Sequence, residues 1–525
     1  MIYNYIMTGG LIQLVAYGVQ DLFLTHDPQI TFFKVVYRRH TNFSTEHIPQ
    51  NFIDNPDFGK RVTCFVSKRG DLIGKSYIVL TLPRINQFYS EQNTLDNLTK
   101  IAWMRKIGYG IIKYIEIEIG GKVIDKHYGE WLNIWHEIFL PKGHNDMLNK
   151  MIGNIPEMTD FTNGKDEYTL YIPLQFWFCT NSGLALPVVC LQFGDVKISM
   201  ELNEAENCYI VTPTHYIETY SDIVNIQPYE YIEQTINGQT ASGLFTGYDF
   251  ITKRMYYKKI SANDFQSITS TVTSISDITS TIFDNPKNSK YFIKGLTSGY
   301  MAMPKFNITP QSQTAQYSQI INMSIPSCFL LLEYIYVDTE ERGRMLNKRH
   351  DYLIEQVTTI NQQIIESTNR ITNIDLFQPT KLMIWILQQN YLTNSYNNDI
   401  FNYTDSYKYS NNNLIGKSLI LQETIKLNGT DRVSKRGYQY FNHIQGYQHA
   451  KHNLCEGINM YSFGVQVNKH QPSGSCNMSA IDGIQIDLTN KNIVTISNPA
   501  YLRTYSISYN VFRVVNGISG LVFSR

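Results

Sequence analysis

Short segments of alternating apolar and polar residues, each bounded by turn residues, recur along most of this chain. In residues 114–119 (YIEIEI), isoleucine alternates with tyrosine or glutamate, which is the period of two expected of a half-buried β-strand. Gly120-Gly121 follows, and glycine accepts the positive φ angles of a two-residue hairpin turn without steric cost. Residues 428–429 (NG) give a second signal of this kind. Repeated short strands with turns between them predict an antiparallel β-sandwich.

Most of the other predicted elements are strands. We expect strands at residues 61–67, 76–82, 168–178, 184–202 (one strand or a pair), 329–337, 379–386, 418–427 and 460–467. A helix is expected at 129–140 and another after Asp338, which can cap it. Residues 84–108 are predicted to be a loop with a helical turn near Trp103, and residues 346–364 fit both a helical stripe and an alternating strand.

The last predicted strand has the clearest alternation of the C-terminal half. We expect one face to point inward and carry Tyr505, Ile507, Tyr509 and Val511, and the other to point outward and carry Thr504, Ser506, Ser508 and Asn510. The chain is therefore predicted to be all-β, with two sandwiches in series and short helices in the loops.

Residues from about 210 to 325 differ in composition from the rest. Serine, threonine, isoleucine and asparagine dominate, as in residues 267–274 (SITSTVTS). Long insertions are tolerated in loops because closure entropy grows slowly with length. We predict an N-terminal arm at 1–30, a first sandwich at 31–215, a linker with long exposed loops and some β-structure at 216–325, and a second sandwich at 326–525.

Charge and cysteine usage exclude several classes of protein. The 45 Lys and Arg residues balance 45 Asp and Glu residues, whereas a protein that neutralises many phosphates needs a basic surplus or a dense basic patch. We therefore expect no direct nucleic-acid partner. The seven cysteines are scattered without a CxxC pair, as is typical of a reducing compartment. The first twenty residues lack the basic region of a signal peptide, and no uncharged run approaches the roughly 18–20 residues of a membrane span, so we expect a soluble, cytosolically made protein.

The clusters that look most like functional sites have simpler interpretations. Zinc-binding groups occur at His443, His449, His452 and Cys455, but their spacing matches no compact zinc motif. His136-Glu137 lacks the second histidine of HExxH and is interpreted as a pair on a helix face. No GxSxG or P-loop motif occurs, and no GxGxxG follows a strand. We predict no catalytic, cofactor-binding or metal site, and no enzyme.

Charged residues and glycosylation motifs are also assigned to the surface. Lys34, Arg38 and Arg39 are predicted to form a solvated face or a contact with a neighbouring subunit rather than a phosphate site. Glu340-Glu341 are explained by the dipole at a helix start. Sequons at Asn42, Asn97, Asn307, Asn402 and Asn428 are expected by chance in a chain rich in Asn, Ser and Thr.

The segment 9–43 contains apolar residues that must be buried against the rest of the fold or against a neighbouring chain. Its strings GGLIQLVAYGVQD and DPQITFFKVVYRRHTNF closely resemble the opening of the major capsid proteins of the large icosahedral double-stranded DNA viruses, the algal-virus, mimivirus-like and iridovirus group. His26-Asp27 depart from that family's Gly-Asn-type pair. The resemblance continues at residues 178–198, 334–342, 350–356 (HDYLIEQ), 470–479 (HQPSGSCNMS) and 509–513 (YNVFR), and is weakest across 210–325 and 390–415.

The resemblance implies two consecutive jelly rolls, with a strand after about Arg349. It implies homotrimers that form pseudo-hexagonal capsomers of an icosahedral shell, with loops near 84–108, 145–165 and 216–325 facing outward. It also implies an inner N-terminal arm near an internal membrane, contacts with neighbouring capsomers and with minor capsid and penton proteins, and assembly into virions in the host cytoplasm. Two alternatives remain open: a double jelly-roll scaffold of immature particles, and a glycan-binding or glycan-cleaving β-sandwich protein.

Overall fold

The computed structural model describes residues 9–523 except 17, 38, 90–93, 97, 142, 221, 270–288, 314–319, 321, 394–398, 411–412 and 452–453. The chain divides into two units, Met1–Phe43 and Ser44–Arg525. In the described part of the first unit, helices α1 (Gly9–Val15) and α2 (Leu22–Thr25) flank a 3-10 turn. The predicted arm, residues 1–30, lies within this first unit, whose described residues between α2 and Phe43 pair with no strand; the first unit is called the arm below.

In chain order, the strands are β1 (Phe43–Asn51), β2 (Arg61–Phe65), β3 (Leu72–Leu82), β4 (Lys100–Trp103), β5 (Ile112–Ile119), β6 (Lys122–Tyr128), β7 (Tyr168–Pro173), β8 (Val196–Leu202), β9 (Tyr209–Thr212), β10 (His215–Glu218), β11 (Tyr231–Ile236), β12 (Gln239–Asp249), β13 (Arg254–Lys259), β14 (Ile293–Gly295), β15 (Met301–Ala302), β16 (Gln311–Ser312), β17 (Ser327–Val337), β18 (His350–Ile365), β19 (Asn369–Asn373), β20 (Pro379–Gln389), β21 (Tyr409–Ser410), β22 (Asn413–Leu414), β23 (Ile420–Leu427), β24 (Thr430–Gly437), β25 (Ile458–Ser462), β26 (Cys476–Asn477), β27 (Ile484–Asn490), β28 (Ala500–Val515) and β29 (Ile518–Leu521).

Helices are short and lie in the connections. They are α3 (Ile107–Gly110), α4 (Gly129–Phe139), α5 (Asn145–Met151), α6 (Pro156–Thr159), α7 (Trp177–Thr180), α8 (Thr339–Leu346) and α9 (Gln445–His449). The helices predicted near 129 and 338 are confirmed, and the Asp338 side chain caps α8 by accepting the Glu340 N–H at 2.8 Å. Among the described residues, no helix is long and apolar enough to cross a membrane.

Two four-stranded sheets, with strand orders β1–β17–β3–β7 and β2–β8–β5–β6, form the first sandwich. The hairpin at Gly120-Gly121 is confirmed, since Ile119 pairs with Lys122 and both glycines have positive φ. Strand β17, which follows the predicted domain boundary at 326, pairs antiparallel with β3 and so belongs to this sandwich. The two strands lie far apart in sequence, so no local pattern could have shown the pairing.

The region predicted as a linker with long loops contains a folded sheet of its own. Its seven strands have the order β15–β14–β11–β12–β13–β10–β16. A separate apolar core lies against it, formed by residues such as Ile217, Ile232, Phe245, Met255 and Tyr257. These strands are rich in polar and small residues, as in β12 (QTASGLFTGYD), which is why the sequence indicated only some β-structure in this region. Part of the Ser/Thr run, residues 270–274, lies outside the described residues.

Two further sheets form the second sandwich. Their orders are β18–β28–β20–β25, extended by β26 and β29, and β19–β27–β23–β24. The strand predicted after Arg349 is confirmed as β18, and the Asn428-Gly429 turn is confirmed by the pairing of Leu427 with Thr430. The short strands β4 and β9 pair with each other, as do β21 and β22.

Strand β20 lies between two apolar cores. Leu382, Ile384 and Ile386 belong to the large core shared with the first sandwich. Met383, Trp385 and Leu387 belong to the core inside the second sandwich. The neighbouring strand β28 is likewise covered on both faces over residues 504–510, where Ser506 and Ser508 are 0% exposed. The predicted outward face of β28 is therefore wrong, because a second layer of the protein covers it.

Three local predictions also need correction. Trp103 ends strand β4 and is buried, whereas the helical turn begins only at Ile107. The strand predicted at 168–178 ends at Pro173, and α7 follows it. In 184–202 the strand begins only at Val196, because Pro187 and 3-10 turns interrupt the earlier residues.

Candidate functional site

Helix α4 joins the first sandwich to strand β28 of the second. It begins at Gly129, where a Cβ atom would lie 2.1 Å from the Tyr109 carbonyl oxygen and 2.4 Å from that of Ile112. Only glycine therefore lets the helix start so close to the backbone of the first sandwich. One helical turn carries Trp131 into the large core, where its ring centroid is 5.6 Å from that of Tyr505.

A buried ion pair fixes this contact. Arg503 Nε of β28 lies 2.7 Å from Glu130 Oε2 of α4, and each side chain is only 16% exposed. The Tyr505 hydroxyl donates to the same carboxylate, and the guanidinium donates to Gln388 of β20. The Gln388 amide in turn donates to the carbonyl oxygens of Ile400 and Asn402, each at 2.8 Å. The network therefore connects α4 with two strands and a loop of the second sandwich, beside a cleft of about 630 Å³.

A second group of charges lies on the same helix. Lys106 Nζ is 2.6 Å from Glu137 Oε1 and 2.7 Å from the Asn133 side-chain oxygen. Burial lowers the pKa of Lys106, but the charge of Glu137, the hydrogen bond to it and the smaller effects of neighbouring acidic groups together leave the pKa raised. Cys455, in the second sandwich, donates its thiol to Glu137 at 2.9 Å. These contacts hold α4 to both sandwiches.

The sequence-predicted zinc candidates are not brought together by the fold. His443 Nε2 is 3.7 Å from Glu456 and is half exposed, Cys455 contacts Glu137, and His452 lies outside the described residues. His449 ends α9. Within the described part of the chain, no group of three or more His, Cys, Asp or Glu side chains is placed to hold a metal ion.

His136 and Glu137 have separate partners. His136 is buried, contacts the Leu132 carbonyl oxygen at 2.7 Å and the Tyr109 hydroxyl at 2.8 Å, and has its pKa lowered to about 4 by burial. The imidazole is therefore neutral at physiological pH. Glu137 instead pairs with Lys106. Both side chains therefore hold α4 to the elements around it.

The sequons and basic residues occupy different environments. Asn402 is buried, and its amide donates to the Ser406 carbonyl oxygen at 2.8 Å, so it cannot accept a glycan in the folded chain. Asn428 lies in the β23–β24 turn and accepts the Gly483 N–H. Exposed positions are Lys34, Arg39, Asn42 and Asn307, whereas Arg38 and Asn97 lie outside the described residues.

Sequence reasoning missed the Glu130–Arg503 pair. One signal was present: Arg503 stands inside a strand whose neighbours are apolar, aromatic or hydroxyl-bearing. A charge in a buried strand requires a partner. The identity of that partner could not be read from the sequence, because Glu130 lies on a helix of the other sandwich.

Two family models match the chain. "Major capsid protein N-terminus" matches residues 31–248, and "Large eukaryotic DNA virus major capsid protein" matches residues 341–520. "Probable capsid protein 4" of Acanthamoeba polyphaga mimivirus is 44% identical over 520 residues, which cover 98% of this chain and 99% of that protein. "Major capsid protein" of Phaeocystis pouchetii virus is 30% identical over 621 residues, covering 99% of this chain and 100% of that protein.

Solved structures share the fold. The Faustovirus major capsid protein superposes with a TM-score of 0.64 at 12% identity, over 95% of this chain and 94% of that chain. A chain of the PBCV-1 virus capsid gives 0.60 at 21% identity, over 94% of this chain and 100% of that chain. The two sandwiches described above are thus a double jelly roll.

Proposed function

The chain belongs to the family of major capsid proteins of large eukaryotic DNA viruses, and we propose that three copies form a pseudo-hexagonal capsomer that tiles an icosahedral shell. Each copy supplies two similar sandwiches, so a closed ring of three copies presents six. Such a block requires the two sandwiches of one chain to keep a fixed relation. The observation that carries the proposal is the burial of β20 between both cores, which makes one sheet common to two packed layers.

In this role the protein is structural and uses no cofactor, metal or catalytic residue. The similar proteins named above are capsid proteins. The charged groups at the sandwich junction neutralise one another and hold a helix, as Glu130 and Arg503 do. We place the protein in the capsid shell of the virion, assembled in the host cytoplasm.

The proposed partners follow from the exposed surfaces. In the arm, Phe32 and Phe33 are 88% and 100% exposed, so this segment offers apolar surface to a neighbouring copy, to minor capsid or penton proteins, or to an internal membrane. The loops near 84–108 and 145–165 and the insertion at 216–325 face outward in the proposed capsomer. Equal numbers of acidic and basic residues argue against direct nucleic-acid binding.

Light scattering on the purified full chain tests the proposal. We expect a stable species near three times the chain mass of 60.7 kDa. A monomer at every concentration measured would refute the proposed capsomer. The arm is tested by Phe33→Asp, which should keep the trimer and reduce association between trimers. Ile496→Asp, at a position 80% exposed in the second unit, is the matched control and should change neither.

A further inference from the structure

A cavity of about 560 Å³ lies beside the seven-stranded sheet. Its wall combines Lys258 of β13 with Phe161, Tyr229 and Tyr407 from three connecting segments, and with Arg105 of the first sandwich. Cavities of roughly 300–1,000 Å³ with mostly apolar walls and a few convergent polar groups are typical of small-molecule sites. The assembly role proposed above does not use this cavity.

Two cations meet at the cavity. Lys258 is only 4% exposed, and its Nζ lies 5.2 Å from the centroid of the Phe161 ring. Both Lys258 and Arg105 interact with the buried carboxyl of Asp399. They also repel each other, because the Arg105 charge disfavours the charged form of Lys258. An anion placed between them would relieve that repulsion.

Tyr229 adds a strained backbone position and, among the described residues, a hydroxyl with no hydrogen-bond partner. Its φ of +64° is in the left-handed region, which is uncommon for an aromatic residue and typical of functional sites. Its ring stacks on Phe161 with centroids 5.8 Å apart and planes inclined by 5°. Its hydroxyl is buried and meets no hydrogen-bond partner among the described residues. A buried hydroxyl of this kind is costly unless something accepts its hydrogen bond.

We propose that this cavity binds a small organic anion, a carboxylate or phosphate monoester carried on an aromatic ring. Arg105 and Lys258 neutralise the anion, and the Tyr229 hydroxyl donates a hydrogen bond to it. The ring of the ligand packs against the aromatic wall formed by Phe161 and Tyr407. Asp160 also lines the cavity, so the anion has to lie nearer to Arg105 and Lys258 than to that carboxylate.

Binding should be linked to proton uptake. Burial, and then the Arg105 charge, lowers the pKa of Lys258 to about 7. A bound anion stabilises the charged amine, so affinity should fall as the pH rises from 6 to 9. The other ionisable groups around Lys258 are Arg105, Asp160, Tyr229, Tyr231, Asp399 and Tyr407. Arginine keeps its charge over this range, and burial raises the pKa of Tyr231, Tyr407 and Asp399.

Isothermal titration calorimetry on the full-length protein tests the site with three probes: benzoate, phenyl phosphate and the neutral isostere benzamide. We expect both anions to bind and benzamide to bind at least tenfold more weakly. Lys258→Met should weaken benzoate binding roughly tenfold or more, since hydrogen bonds to charged groups are strong, and should flatten its pH dependence. Lys259→Met is the matched control, because Lys259 is the next residue of the same strand and pairs with Asp264; it should change affinity less than twofold.

Tyr229→Phe removes only one oxygen atom and provides an isosteric second variant. It should weaken benzoate binding several-fold without altering the circular dichroism spectrum. Failure of both anions to bind at millimolar concentration would overturn the proposal. Equal affinities for benzamide and benzoate, or equal losses of affinity in Lys258→Met and Lys259→Met, would also overturn it. Inorganic phosphate binding as tightly as phenyl phosphate would overturn the aromatic part of the assignment. Trimer formation is measured separately, so neither result decides the other.

Discussion

Replacing Arg503 with methionine should destabilise the junction between the sandwiches by roughly 3–5 kcal/mol, the range for removing one partner of a buried ion pair. Both side chains are 16% exposed, so solvent screens the pair little. Arg503→Met leaves Glu130 buried with the Tyr505 hydroxyl as its remaining donor. One charge-assisted hydrogen bond persists, and the cost should therefore fall near the lower end of the range. Glu130→Met removes the opposite charge, leaves the guanidinium with the side-chain oxygens of Gln388 and Gln362, and should also destabilise the junction.

The double variant Glu130→Met/Arg503→Met separates this reasoning from a simple loss of packing. It removes both charges and fills the site with apolar atoms, so it should be more stable than either single variant. Arg349→Met is the surface control. Arg349 is 54% exposed and pairs with Asp351, so solvent screens that pair and its loss should cost much less than the loss of Arg503.

Urea unfolding followed by tryptophan fluorescence measures these changes, because Trp131 packs against Tyr505 at the same junction. The reasoning is refuted if Arg503→Met costs no more than Arg349→Met. It is equally refuted if the losses in the two single variants simply add in the double variant, because the side chains would then not interact.

Two further predictions concern the second sandwich. Burial raises the pKa of Glu423 from 4.5 to about 8, although the Trp385 indole N–H donates to it. Because the folded state retains this proton, the free energy of unfolding should decline as the pH rises from 4.5 to 8. Denaturation curves of Glu423→Gln should show a smaller decline over this range. The same pH dependence in the variant and the unaltered protein would contradict this prediction. Gly429 has φ +78° in the turn after Asn428, so Gly429→Ala should reduce the free energy of unfolding by about 1 kcal/mol. Gly343 lies in helix α8, where a Cβ atom would meet nothing within 4 Å, so Gly343→Ala should raise the free energy of unfolding by about 0.5–1 kcal/mol. Equal shifts of the melting temperature in the two variants would exclude this backbone explanation.

Local sequence patterns correctly predicted the elements that are determined by neighbouring residues. The turns at Gly120-Gly121 and Asn428-Gly429 are set by residues that accept positive φ, and the structure has both. Helix α8 begins where the Asp338 side chain caps it. Such patterns also predicted two sandwiches in series, and the resemblance to the capsid family specified them as jelly rolls.

The features that depend on contacts with residues far away in the sequence were mispredicted. Ser506 and Ser508 have the polarity of a solvent-facing row, yet both are buried because another layer covers the strand. Strand β17 reads as the start of a new domain, but its hydrogen bonds go to β3. Only some β-structure was predicted within 215–312, because serine, threonine and glycine occur both in loops and in strands with small side chains.

Two kinds of contact at the sandwich junction perform different tasks. The apolar residues of β20, such as Ile384 and Trp385, supply burial on both faces and hence most of the free energy of packing. Apolar packing is non-directional and tolerates small rotations of one layer on another. The Glu130–Arg503 pair contributes less net stability but is satisfied in only one orientation of α4 against β28. In the proposed capsomer, six sandwiches need that orientation to be the same in every copy, and we propose that the buried ion pair is retained for this reason.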